Sequence, residues 1–299
     1  MSSVAPVIFK GKHLVIFGAG YVGAEVARQA VARGLRVTAL TRNAGKAEAL
    51  RALGATAVVA DLAGDDWHKH PALAGGADFA LNCVSSGGGG PDGYRRSYVD
   101  GMHSVLAWAG WAPVGAMVYT SSTSVYPQDG GGRVDEAAST DGAGENGKIL
   151  LEAENLLLAR SGRGFVLRLA GIYGPQRHHL LDQLREGSGV VAGRGDHHLN
   201  LIHRDDIAGA VWAAFGASAE VAGGVFNVAD DGAAPKSEVV NWLAARLGVP
   251  PPAFTGAPAN GRRTVTPDRV ISNDRIKSVL GWRPRYPTFR EGYEVILEA

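Results

Sequence analysis

One cysteine, Cys83, occurs in 299 residues. That excludes an intramolecular disulfide and any cysteine-cluster metal site, and a reducing, cytoplasmic setting is expected. Charge of one sign is missing too: 30 Lys and Arg against 29 Asp and Glu leave a formal net charge of +1. Such a balance points to neither nucleic acid nor an anionic membrane as partner. Long apolar runs are absent. The most apolar window, Val105 to Tyr119, is broken by Gly110, Pro113 and Gly115 and is too short to span a bilayer. It reads as a helix, a turn and a strand. Met1 to Lys12 shows no charged stretch followed by an apolar one, so no signal peptide is expected. No internal repeat is visible. With 45% apolar and 20% charged residues, the chain has room for one large soluble domain or two modest ones.

Glycine is plentiful, at 42 residues, and its arrangement at one place is informative. Leu14-Val15-Ile16-Phe17 runs into Gly18-Ala19-Gly20-Tyr21-Val22-Gly23, and a helical pattern follows. Strand, Gly-x-Gly-x-x-Gly and helix in that order form the context of a dinucleotide-binding turn. Gly18 permits the tight turn, Gly20 lets a pyrophosphate approach the backbone, and Gly23 packs the helix on the strand. The free N–H groups and positive end of the helix then face the phosphates.

The first half alternates. Strands are predicted at His13–Phe17, Arg36–Thr41, Ala57–Val59, Phe79–Val84 and Ala116–Thr120. Helical patterns fall at Tyr21–Arg33, Gly45–Leu53 and roughly Arg95–Gly110. Near-continuous apolar strands alternating with helices imply an α/β fold, a Rossmann-type doubly wound parallel sheet covered on both faces. Ligands then bind at the strand C-termini. The second strand ends in Thr41-Arg42-Asn43, without the acid that usually holds a ribose 2′-OH. A guanidinium there can pair with a 2′-phosphate. NADP is therefore the expected cofactor, with NAD as the alternative, since Arg42 could equally stack on adenine. Asp61-Leu62 follows the third strand, where an adenine edge could be read or a turn capped.

The fourth strand runs through Cys83 and Val84 into Ser85-Ser86 and four glycines, Gly87–Gly90. Within a strand pattern Cys83 reads as a small buried hydrophobe rather than a nucleophile. The fifth strand ends in Thr120-Ser121-Ser122-Thr123-Ser124-Val125-Tyr126, a run of hydroxyls at the edge where the nicotinamide would lie. Such a hydroxyl can hydrogen-bond a substrate carbonyl or alcohol, or satisfy turn backbone. A helix is predicted at Lys148–Arg160, a sixth strand at Phe165–Leu169, a helix at Ala208–Ala217 and a strand at Gly224–Val228. Pro250 to Thr266 is rich in Pro and Gly. The pairs His178-His179 and His197-His198 lack both cysteine partners and a His-x-x-x-His helix, so no metal is expected.

Five blocks in order, Gly18–Gly23, Ser121–Tyr126, Arg168–Pro175, Leu201–Asp206 and Leu280–Pro284, resemble the extended short-chain dehydrogenase/reductase family, the NAD-dependent epimerase/dehydratase group. They span Leu14 to about Tyr293. The resemblance implies a dinucleotide-binding domain over 1–170, with a return segment at about 201–230. It also implies a smaller C-terminal α+β substrate domain from 171–200 and 231–299. It implies a catalytic Ser/Thr, Tyr and Lys. Ser122 matches the first and Lys148 the last, with Lys148 also on the cofactor ribose. The family's Tyr lies four residues before that Lys, on the same helix face. Here that place is Gly144, and no Tyr lies between Tyr126 and Tyr173. Glu145, three residues before Lys148, and Tyr126 are the candidates to assist. The cofactor set is Gly18, Gly20, Tyr21, Val22, Gly23, Thr41, Arg42, Asn43, Asp61, Leu62, Cys83, Val84 and Lys148. Ser85, Ser122, Thr123, Arg177 and His203 are expected on the substrate side.

The expected activity is an NAD(P)-dependent oxidoreductase or epimerase/dehydratase. Its partner would be a small molecule, either a polar carbonyl or alcohol or a sugar nucleotide. The alternative is a non-catalytic NADP(H)-binding sensor or regulatory module. Members of the family often dimerise through a helix pair, which leaves a homodimer open.

Overall fold

Leu14 to Phe17 are apolar without interruption because the strand they form is covered on both faces. In the computed structural model of the chain, every residue of that strand, β1 (His13–Phe17), is buried. The structure describes residues 9–298 apart from 65, 87, 161, 188 and 257–266. Residues 1–8, Gly87 of the glycine run and the 257–266 part of the Pro/Gly-rich stretch thus lie outside it.

The order continues with α1 (Tyr21–Ala32), β2 (Arg36–Thr41), α2 (Ala44–Ala52), β3 (Thr56–Val59), β4 (Ala77–Asn82), α3 (Gly90–Arg95), α4 (Gly101–Trp111) and β5 (Val114–Ser122). Then come α5 (Glu145–Ala159), β6 (Arg163–Leu169), α6 (His179–Arg185), α7 (Arg204–Phe215), β7 (Gly223–Val228), α8 (Lys236–Leu247), α9 (Asp274–Leu280) and α10 (Phe289–Leu297). The seven long strands form one parallel sheet in the order β7-β6-β5-β4-β1-β2-β3. The doubly wound Rossmann-type sheet expected from the alternation is present. Its order reverses between β1 and β4, and the crevice outside those strand ends is where such sheets bind ligands.

Three local expectations are corrected. β4 stops at Asn82, so Cys83 and Val84 lie just beyond the strand, at the crevice. The helix predicted from about Arg95 starts at Gly90, and a π-turn over Arg96–Asp100 separates α3 from α4. The helix predicted from Lys148 starts at Glu145, with Gly144 as its extended N-cap (ψ 169°).

A large apolar core lies on both sides of the sheet, and a second, smaller cluster forms around Tyr173, Leu181, Val240, Leu243, Phe289 and Tyr293. The Leu280–Pro284 block is tied back to α7. The Asp206 carboxylate accepts the N–H groups of Arg285 (2.6 Å) and Tyr286 (3.1 Å), and the Trp282 indole donates to the Asp206 carbonyl (3.2 Å). Two sequence blocks about 75 residues apart are therefore one structural joint.

Close by, Asp230 is buried with one carboxylate oxygen unpartnered among the described residues. Burial, with the nearby Asp231, pushes its carboxyl up to about 8, against the N–H bond from Gly232. The folded chain thus keeps a proton there that an unfolded chain releases near pH 4. Stability from that proton is full below about pH 4 and is lost as pH rises to about 8. Asp230→Asn is expected to flatten this decline. Thermal unfolding should show a gain on the order of 1 kcal/mol at about pH 8, roughly 2–4 °C, and less at about pH 5.

Candidate functional site

The turn after β1 carries the first half of the site. Gly18 has φ +85°, and a Cβ there would stand 2.6 Å from the Val84 backbone. Neither the angle nor the space admits a side chain. Gly23 faces the other way: its Cβ would meet Gly18 O at 2.7 Å, Cys83 Sγ at 2.8 Å and Ile16 Cγ2 at 3.2 Å. A Cβ at Gly20 would meet nothing nearer than 4.0 Å. The three glycines thus serve a tight turn, an open approach and close helix packing, as a dinucleotide cradle requires.

A cleft of about 360 Å³ opens from this turn. It brings together Gly18, Gly20, Thr41, Arg42, Asn43, Asp61, Leu62, Cys83, Val84 and Ser85, ten residues expected at the site. Tyr21, Val22 and Gly23 form the first turn of α1 behind it. The Cys83 thiol donates to Gly18 O (3.1 Å), and burial pushes it up to about 12, so it is a packing group rather than a nucleophile.

The cleft's charge is uneven. Arg42, Lys46 and Arg96 border it against one acid, Asp61. Asn43 caps α2 by accepting the Lys46 N–H (2.9 Å), so the positive end of α2 also points there. Among the described residues no ion pair occupies the Arg42 or Lys46 head groups. Asp61 accepts N–H bonds from Ala63 (3.0 Å) and from Arg96 (3.0 Å), and these hold its carboxyl below the usual range. Lys46 and Arg96 are absent from the expected set. Lys46 carries a local signal, four residues past Arg42 in a helical pattern, whereas Arg96 reaches the cleft from a distant part of the chain without one.

A second cleft, of about 790 Å³, lies beyond the β5 end between α3 and α5. Ser124, Tyr126, Asn146, Glu145 and Tyr94 border it, with Ser86 and several glycines. Ser122 closes β5. Its Oγ accepts the Ser124 N–H (3.1 Å), and among the described residues no partner takes its proton. Thr123 is turned inward, its hydroxyl donating to Leu169 O (3.3 Å).

The structure does not bring Lys148 to this cleft. Gly144 is the N-cap of α5, and its carbonyl accepts the Lys148 N–H (2.9 Å), the first i, i+4 bond of the helix. Lys148 is exposed and lies with Leu151, Glu152, Asn155 and Leu156 on the outer face of α5. The face toward the cleft and the sheet carries Asn146, Leu150 and Glu154, four residues apart. Of these, Leu150 is buried core, and Glu154 meets Arg168.

Tyr126 does not swing into the cleft either. Its ring borders it, but its hydroxyl receives a bond from Arg168 Nη1 (2.8 Å) and donates to Asn227 Oδ1 (2.9 Å). Burial raises the phenol above its ordinary range, against the lowering pull of the Arg168 charge. Under it, Glu154 accepts Ser121 Oγ (2.5 Å) and the Arg168 guanidinium (2.7 to 3.2 Å). This network joins β5, α5, β6 and β7.

Two expected substrate residues lie elsewhere. His203 is buried as the N-cap of α7, accepting the Asp205 N–H (3.2 Å), between the rings of Tyr173 and Tyr286. Burial lowers it to about 4, so it is neutral. Arg177 is exposed and lies over the Tyr21 ring (5.6 Å), while the Tyr21 hydroxyl donates to Pro175 O (2.9 Å). Among the described residues no three His, Cys, Asp or Glu side chains gather as a metal site, and no helix is long and apolar enough to cross a membrane.

A doubly wound parallel sheet, a three-glycine cradle at its topological switch and a basic cleft beside it define a dinucleotide-binding protein of the Rossmann type. The chain belongs to the NAD-dependent epimerase/dehydratase family, whose profile matches residues 14–229. It is 28% identical to protein YeeZ of Escherichia coli over 281 residues, 92% of this chain and 97% of that one. It is 28% identical over 254 residues to a 2-alkyl-3-oxoalkanoate reductase from Stenotrophomonas maltophilia, 80% of this chain and 76% of that protein. A UDP-glucuronic acid 4-epimerase from Bacillus cereus, solved in complex with NAD, shares the fold. It has a TM-score of 0.80 at 18% identity, with 96% of each chain covered.

Proposed function

We propose that this chain is an NADP(H)-dependent reductase of a small carbonyl compound. The observation that carries the cofactor half is the cleft at the Gly18 turn, where Arg42 and Lys46 stand beside the positive end of α2. Charge-assisted bonds from both to a 2′-phosphate would favour NADP(H) over NAD(H). Gly18, Gly20 and the first turn of α1 would hold the pyrophosphate, and Asp61 and Leu62 the adenine. When bound, the reduced dinucleotide supplies a hydride. Ser122 then orients the substrate carbonyl through its O–H, and Asn146, which borders the second cleft, offers an amide N–H. Residues 171–200 and 231–299, which build the smaller apolar cluster, would complete the substrate side.

Reduction is preferred to epimerisation for a physical reason. Epimerisation by transient oxidation needs a positioned base that takes the proton of a substrate hydroxyl, whereas a carbonyl reduction can draw its proton from water, and the α5 side chain Asn146 that borders the cleft is an amide. The reductase relative from Stenotrophomonas supports the same direction. That same bare face favours one second reading, an NADP(H) sensor without turnover. A panel of ketones, 3-oxoacids, aldehydes and sugar nucleotides, followed at the NADPH absorbance, separates the two. Reduction of neutral or 3-oxo carbonyls supports the reductase. NADPH binding without oxidation by any member supports the sensor.

A further inference from the structure

Asp61 and Arg96 form an ion pair (3.0 Å) on the border of the Gly18 cleft, with side chains 32% and 55% exposed. A pair that open to water contributes little to stability, so the fold does not explain it. We propose that Arg96 is a further cofactor-binding residue, which lays its guanidinium on the adenine ring while Asp61 holds its edge. This role rests on the dinucleotide reading of the cleft.

The sheet puts Arg96 where a second wall is needed. Asp61 follows β3, and Arg96 opens the π-turn that comes after β4 and α3. Between those strands lie β1 and β2, whose ends carry the Gly18 turn and Arg42. From β1 the order runs one way through β2 and β3 and the other way through β4 and β5. Right-handed crossovers then set α2 and α4 on opposite faces of the sheet. Lys46, on α2, and Arg96 thus reach the cleft from opposite sides.

The head group of Arg96 has a built seat. Its Nη2 donates to Asp61 Oδ2 (3.0 Å), and Asp61 is itself fixed by the Ala63 N–H (3.0 Å). A Cβ on Gly64 would stand 2.8 Å from the same Nη2, so the guanidinium lies against the Asp61–Gly64 turn. Bonding a carboxylate through its edge sets the plane of a guanidinium, and that plane stacks on flat rings. The backbone is held as well. Arg95 grips Glu152 of α5 with both guanidinium arms (2.9 and 2.6 Å). Neighbouring arginines thus tie the start of the π-turn to α5 and to the cofactor cleft, and such turns are frequent at functional sites.

Charge divides the labour between the two walls. The Asp61 carboxylate offsets the charge of Arg96, whereas no ion pair among the described residues does so for Arg42 or Lys46. Arg42 and Lys46 would read the 2′-phosphate, which NADP(H) alone carries. Arg96 would read the adenine, which NADP(H) and NAD(H) share.

The test is calorimetric titration of the full chain and of Arg96→Ala, Arg96→Phe and Arg96→Lys with NADPH and with NADH. Arg96→Ala is expected to bind both dinucleotides about tenfold more weakly, by the same factor for each. That factor should persist as ionic strength rises, because a stack is screened far less than a phosphate contact. Arg96→Phe restores a flat face without charge and should return to within about threefold of the wild type. Arg96→Lys keeps the charge without the plane and should stay as weak as Arg96→Ala. The melting temperature of Arg96→Ala should fall by no more than about 2 °C. Unchanged affinities in Arg96→Ala, a loss confined to NADPH, tighter binding by Arg96→Lys than by Arg96→Phe, or a large fall in melting temperature would each overturn the proposal alone. A wild type that binds neither dinucleotide would overturn the dinucleotide reading, and this proposal with it.

Discussion

Glu154→Ala is expected to destabilise the fold by about 3–5 kcal/mol, the cost of leaving one partner of a buried ion pair uncompensated. The side chains of Arg168 and Glu154 are 7% and 2% exposed, so water cannot replace the lost carboxylate. Glu154 also accepts the Ser121 hydroxyl, and Arg168 also holds the Tyr126 hydroxyl, so one deletion orphans several buried donors. A Glu154→Leu/Arg168→Met double variant removes both charges and should recover much of that loss, because apolar replacements of a buried pair are often neutral. Equilibrium unfolding in urea measures both. Equal stability of Glu154→Ala and wild type would mean that the pair holds nothing at the end of β5.

Arg42→Ala/Lys46→Ala is expected to weaken NADPH binding by about 100-fold while NADH binding changes by less than about threefold. Each charge-assisted contact to a 2′-phosphate contributes about 1.5–3 kcal/mol when well formed, and the open cleft and salt reduce that figure. The loss should shrink as ionic strength rises, because the interaction is screened. Equal loss for both dinucleotides would instead mean that Arg42 stacks on adenine, which NAD and NADP share.

Much of this arrangement is written locally in the chain. The β1 run, the three glycines and the Thr41-Arg42-Asn43 end of β2 each act within a few residues, so their pattern reports their geometry. Ten residues expected from that logic do border one cleft. The α5 end was not legible in the same way. Counting four back from Lys148 lands on Gly144, the extended N-cap, while Lys148 itself lies on the outer face and Asn146 borders the second cleft. Part of what fixes the buried side of α5 is Glu154 meeting Arg168, a contact between elements that no local pattern encodes. Tyr126 shows the same limit: its hydroxyl finds Asn227, 101 residues away. The π-turn over Arg96–Asp100, between α3 and α4, has no residue signature either. His203 is expected on the substrate side as part of the Leu201–Asp206 block, yet it caps α7, and burial keeps it neutral there.

A Gly18 cleft that holds a nicotinamide dinucleotide through its 2′-phosphate must tell NADPH from NADH. Calorimetric titration of the wild-type chain with NADPH and with NADH, in the same low-salt buffer, tests it most directly. The dissociation constant for NADPH is expected to be at least about tenfold lower. Equal affinity for the two, or tighter binding of NADH, would contradict it.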